Sequence, residues 1–172
     1  SVNDVLAGFD FVPVPSLQAG KVSRWRQSKS ETLVEFLTPS FEAEEGLREL
    51  AALGVSAQSL HFLNFVISDP LPAAAIYRDG ILIHIPRPER FAIHKLIVSD
   101  RRRDGADSLK SRKDLMQAEL LLDVLAEDRP SDLALAYDDA AARGPKWRER
   151  LERSMSRSPR ASASITKAKE LA

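Results

Sequence analysis

Glu35 is the first residue whose setting suggests chemistry. It lies in Leu33-Val34-Glu35-Phe36-Leu37. On a strand, positions 33, 35 and 37 face one way and 34 and 36 the other. Both sets are otherwise apolar, so the strand reads as covered on both sides. A carboxylate there is expensive to desolvate unless it is paired or binds a cation. Two roles are open: a metal-binding or catalytic carboxylate, or the ion-pair partner of Arg24 or Arg26 on the preceding predicted strand. Arg24 and Arg26 share one strand face, with Trp25 on the other. Two guanidinium groups so placed can clamp a phosphate or a carboxylate, or they can form a solvated strand face.

The second group of candidates lies on predicted helices. In Arg87-Pro88-Glu89-Arg90-Phe91-Ala92-Ile93-His94-Lys95-Leu96, Lys95 is placed to reach a phosphate. His94 is an acid–base candidate or a structural hydrogen-bonder. Further on, Lys110, Lys113, Asp114 and Gln117 recur at three- and four-residue spacings. That spacing puts them on one side of a helix, as a site lining or as ordinary surface charge. Arg101-Arg102-Arg103 either contacts phosphates or complements the dipole at a helix end.

The elements that must position these residues can be read from local pattern. Residues 9–17 contain two prolines at alternate positions, which suits an edge or extended segment. Residues 22–27 and 32–37 read as two strands joined by a turn at 28–30, and Thr38-Pro39-Ser40 stops the second. Residues 42–53 read as a helix with an acidic first turn and Gly54 as its cap. Residues 61–67 read as a strand by length. Residues 73–77 and 81–85 flank Arg78-Asp79-Gly80, a hairpin signal. Helices follow over 88–101, 108–127, 131–143 and 145–156. The last stretch, rich in Ser, Ala and Lys, reads as a frayed helix or mobile tail. The expected fold is α+β: a small mixed or antiparallel sheet, then a C-terminal helical block. The domain reading is a sheet subdomain at 1–86, a helical subdomain at 87–156 and a tail at 157–172.

Composition narrows the function classes. The 25 basic and 25 acidic side chains cancel, which argues against a dedicated nucleic-acid or membrane-surface binder. The absence of cysteine excludes disulfides, thiolate zinc sites and cysteine nucleophiles, and three histidines make a histidine-rich metal site implausible. No apolar run approaches the ~20 residues of a membrane helix. No leader pattern opens the sequence, so a cytoplasmic, bacterial-type setting is expected.

Taken in order, several segments carry a resemblance. They are Phe11-Val12-Pro13-Val14-Pro15-Ser16-Leu17, Ser23-Arg24-Trp25-Arg26, Val34-Glu35-Phe36-Leu37-Thr38-Pro39, Ile85-Pro86 through Ser99, and Arg112-Lys113-Asp114-Leu115-Met116-Gln117-Ala118. Together they resemble bacterial nucleotidyltransferase-fold proteins of the polymerase-β-like superfamily, distantly those of the AbiEii type. The resemblance runs from about Phe9 to Arg150. It implies transfer of a nucleotide from an NTP to a hydroxyl acceptor. Three carboxylates on adjacent strands would hold two Mg2+ ions for that reaction.

The resemblance places Glu35 at the third carboxylate, as metal ligand and catalytic residue. It places Lys95, Lys113 and Asp114 on helices that contact base or phosphate; Arg24 and Arg26 are substrate-contact candidates by their shared strand face. The Gly-Ser turn and Asp-x-Asp strand that supply the other two carboxylates are not found before Glu35. The chain begins Ser1-Val2-Asn3, so that segment is expected to have been cut away or lost. The chain alone is therefore expected to be inactive. A non-catalytic nucleotide- or partner-binding module is the alternative.

Overall fold

A computed structural model of the chain describes residues 1–76, 79–104 and 106–172. Tyr77, Arg78 and Gly105, which fall in the predicted hairpin turn and helix link, lie outside the described residues. The chain forms two compact units, Ser1–Asn64 and Phe65–Ala172. The architecture is α+β, with small sheets first and a helical block after them.

The first unit opens with helix α1 (Val2–Ala7), closed by a capping box in which Ser1 and Asp4 satisfy each other's backbone N–H groups. Strands β1 (Phe11–Pro13), β2 (Arg24–Gln27) and β3 (Leu33–Glu35) form an antiparallel sheet in the order β1-β2-β3. Pro13 sits on edge strand β1, where its missing N–H is harmless. Trp25, only 1% exposed, is the centre of this unit's core. Its ring meets Phe36 edge-on at 5.4 Å, and its indole N–H donates to Asn3 Oδ1 at 3.2 Å.

A second sheet contains β4 (Leu37–Pro39), β5 (Leu47–Leu50) and β6 (Val55–Leu60) in the order β4-β6-β5. β6 pairs in parallel with β4 and antiparallel with β5. The predicted strand over 32–37 is thus split: β3 serves one sheet, and β4 begins two residues later in another.

Two sequence expectations fail here for identifiable reasons. Residues 42–53 are not a helix. Their acids lie in a loop, where Glu45 Oε1 accepts from the His61 N–H at 2.5 Å and Glu42 pairs with Arg48. Leu47–Leu50 is recruited as a strand by its non-local partner β6. Gly54, at φ 64°, caps only the single 3-10 turn Ala51–Leu53. Residues 61–67 are not a strand either. Leu63–Ile67 forms helix α2, with Leu63, Phe65 and Val66 buried.

The second unit contains an antiparallel hairpin of β7 (Leu71–Ala75) and β8 (Ile81–Ile85). Gly80 adopts φ 89° at its turn, as the Asp-Gly signal requires. The hairpin belongs to this unit by its contacts, while the compositional change at Pro86 marks where strands give way to helices. Five helices follow: α3 (Pro88–Arg101), α4 (Ser108–Asp128), α5 (Pro130–Ala142), α6 (Pro145–Arg157) and α7 (Pro159–Leu171). Each of them except α4 begins with proline in its first turn.

The core of this unit is Ile93, Leu96 and Ile97 of α3, Leu122 of α4, Leu133 of α5 and Leu151 of α6, all fully buried. Small residues let the helices approach closely. Ser111 Oγ donates to the Ser99 carbonyl at 2.7 Å, and Ser154 Oγ to the Leu96 carbonyl at 2.6 Å. The last stretch, read as a frayed helix or mobile tail, forms helix α7. Ser158 caps it, and Ala161, Ile165 and Ala168 bury one face. Lys169 pairs with Asp138 of α5, and Arg160 with Asp123 of α4. Among the described residues, no helix is long and apolar enough to cross a membrane.

Candidate functional site

The strand candidates meet as an ion pair. Arg24 and Glu35 are direct partners across the β2–β3 register, and Arg24 Nε donates to Glu35 Oε1 at 2.6 Å. The 33/35/37 face is open to solvent and not covered: Leu33 and Leu37 are exposed, and the Glu35 side chain retains 33% exposure. The apolar look of positions 34 and 36 comes from packing toward Trp25. The other face has nothing over it within its own unit, so the desolvation argument for Glu35 does not apply. Arg26 is two residues along from Arg24, on the same exposed side.

The helix candidates separate. Asp114 is turned inward, its side chain 4% exposed. It accepts from Lys95 Nζ at 2.6 Å through Oδ1 and from Arg102 Nη1 at 2.6 Å through Oδ2. Lys95 also lies 5.2 Å from the Phe91 ring centroid. Lys113, one residue before Asp114, is exposed, because adjacent helical positions point about 100° apart. The structure therefore joins Lys95 with Asp114 and leaves Lys113 apart. Arg24, Arg26 and Glu35 belong to the first unit, and Lys95, Lys113 and Asp114 to the second.

A nucleotidyltransferase family model matches residues 1–142. The chain belongs to that family. No curated protein and no solved structure matches it. The family implies an NTP substrate. Helices α6 and α7 lie beyond the matched residues.

Whether these residues suit the magnesium expected of such chemistry is a question of donors. Among the described residues, no group of three or more His, Asp or Glu side chains could hold a metal ion. Glu35 stands beside a guanidinium, and Asp114 is saturated by two cations. A two-metal site needs several convergent carboxylates. The residues described here do not fit it, and no metal step follows from them.

Sequence reading missed Arg102 and Asp100. Arg102 sits in a run taken for a helix end, yet it completes the Asp114 clamp. Asp100 is 1% exposed in its side chain and meets Arg103, Arg150 and Arg153. A signal was present: Asp100 continues the buried stripe Ile93, Leu96, Ile97 at helical spacing, where an acid needs partners.

Proposed function

We propose that this fold serves transfer of a nucleotide from an NTP to a hydroxyl acceptor, and that the chain taken alone binds nucleotide without transferring it. The observation behind this is the state of Glu35 in a chain of this family. The carboxylate at the expected catalytic position is bonded to Arg24, and among the described residues it belongs to no group of three acid or histidine donors. Magnesium dependence belongs to the reaction class, and its site is not made by these residues. Arg26 and Lys113, both exposed, are the remaining candidates for phosphate contact. A cytoplasmic location accords with an NTP substrate.

Incubating the chain with Mg2+ and each α-labelled NTP is expected to give no labelled product, while calorimetry with Mg-ATP gives binding. Transfer that is lost in Glu35→Gln would overturn the inactive reading and make Glu35 catalytic. The second reading is a partner-binding module that has no use for nucleotide. It is favoured by the same ion pair, and it holds if calorimetry detects no NTP at all.

A further inference from the structure

The junction of α3, α4 and α6 gathers several guanidinium groups about one buried carboxylate. Asp100, at the end of α3, is buried and contacted by three arginines: Arg150 at 2.7 Å, Arg153 at 3.3 Å and Arg103 at 3.7 Å. Arg157, one turn beyond Arg153 on α6, donates from Nη2 to Ser111 Oγ at 3.4 Å. The remaining acids of the cluster lie at its rim: Asp104 on Arg103 and Glu149 on Arg153, both exposed. Hydrogen bonding from Arg103 holds Asp104 below the ordinary carboxylate range, and the charges of Arg103, Arg157 and Arg153 add to this. Among the described residues, Arg103, Arg150, Arg153 and Arg157 thus gather about Asp100, Asp104 and Glu149, and Asp100 is the most buried of the acids.

Two donors in this cluster have no acceptor, and one acceptor, Asp100 Oδ1, has no hydrogen bond and lies 3.7 Å from Arg103 Nη1. Arg153 Nε and Arg157 Nη1 are both shielded from solvent, and neither hydrogen-bonds to any described residue. Buried donors without partners are rare in folded proteins, because each forfeits a hydrogen bond it made to water. A ligand that completes the two donors brings acceptors, and it must suit a surround lined by several guanidinium groups. Guanidinium forks match the oxygens of phosphate two at a time, and phosphate brings about two negative charges.

We propose that the α3–α4–α6 junction binds a phosphate group, with Arg153 and Arg157 as its donors and Ser111 and Arg103 at its edge. Asp100 is the positioning residue: it holds the arginines in place from beneath. The site belongs to the second unit and lies half on α6, beyond the residues matched by the family. The phosphate can belong to a free polyphosphate or to a nucleic-acid backbone, and the experiment separates the two.

The test uses the full chain. Inorganic phosphate, pyrophosphate and a single-stranded ribo-oligonucleotide are titrated at ionic strength matched with chloride. Side-chain Nε–Hε resonances of Arg153 and Arg157 are followed alongside the melting temperature. The expected result is a saturable shift of both resonances and a melting temperature raised by the oxyanion but not by chloride. Arg157→Gln should weaken the affinity about tenfold or more, the scale of one charge-assisted hydrogen bond, while Glu35→Gln leaves it unchanged. A response to pyrophosphate assigns a free polyphosphate, and a response to the oligonucleotide alone assigns a nucleic-acid backbone. The proposal is overturned if chloride reproduces the effect, if Arg157→Gln binds as wild type does, or if neither arginine resonance moves. Loss of the effect in Glu35→Gln would instead place it at the nucleotide site, and would also overturn it.

Discussion

Replacing Asp114 with asparagine separates a structural clamp from a nucleotide contact. The carboxylate is 4% exposed and holds Lys95 and Arg102, each at 2.6 Å. A hydrogen bond to a charged group contributes about 1.5–3 kcal/mol when shielded. Lys95 is 19% exposed and keeps most of that value. Arg102 is 41% exposed, so its share falls to the surface-pair range of about 0.5 kcal/mol. Asparagine retains one neutral acceptor but strands a shielded ammonium beside it.

The net loss is about 2–3 kcal/mol. For a chain of this size that lowers the melting temperature by about 4–12 °C. Circular dichroism at 222 nm during urea unfolding reports on the second unit, where α3 to α7 lie. A cycle with Lys95→Met isolates the pair, with an expected coupling of about 1–2 kcal/mol. Zero coupling, or an unchanged midpoint, refutes the clamp. Loss of NTP affinity at full stability would instead return Asp114 to the role its sequence position suggested.

Other outcomes follow from the same geometry. Glu35→Gln removes an exposed pair, so stability should change by about 0.5 kcal/mol or less in chemical denaturation, and a loss above about 1.5 kcal/mol would contradict the exposure of that strand face. Trp25→Ala should cost about 3–5 kcal/mol, read by near-ultraviolet circular dichroism of the first unit, while Trp25→Phe keeps most of the ring packing on Phe36.

Asp139 sets a pH dependence. Burial would raise its carboxyl, but hydrogen bonds from Arg143 and Arg90 outweigh that and hold it below the ordinary value. A depressed folded pKa gives stability that is present above the unfolded value, about 3.9, and lost as pH falls through the folded one. The gap between wild type and Asp139→Asn should therefore be widest near neutral pH and close as the pH falls below about 4. A gap that stays constant into acid would refute the pairing.

Legibility followed locality. The β2–β3 hairpin and helices α3 to α6 depend on nearby residues: alternation around Trp25, proline at helix starts, and the stripe Ala118, Leu122, Leu125. These were readable to within a few residues. β5 was not, because Leu47 and Leu50 satisfy a helical period as well as a strand edge, and β6 decides between them. The run 61–67 was too short for period to separate strand from helix. α7 was hidden by its small side chains, since Ala161, Ile165 and Ala168 read as little to bury until α4 and α5 are packed against them.

In the candidate site, spacing correctly made Arg24 a possible partner of Glu35, and the resemblance drew the weight toward metal. It could not tell Asp114 from Lys113, because their difference is which side of α4 meets α3.

The Arg24–Glu35 bond is itself weak grounds against a catalytic Glu35. Both side chains are exposed enough for water to screen them, and pairs of this kind contribute about 0–1 kcal/mol. A tenfold change in affinity corresponds to about 1.4 kcal/mol, so a bound cation or nucleotide could displace Arg24 at less than that cost. What bears on metal binding by these residues is number. One carboxylate neutralises half of one divalent ion, and no group of three acid or histidine donors converges among the described residues. Replacing Arg24 with Gln tests which of these matters, because it frees Glu35 without adding a carboxylate. If the pair were the obstacle, Arg24→Gln would create Mg2+ binding measurable by calorimetry. If donor number is the obstacle, one exposed carboxylate is still too few, and no stoichiometric Mg2+ binding appears. The geometry favours the second outcome, and tight Mg2+ binding by that variant would refute it.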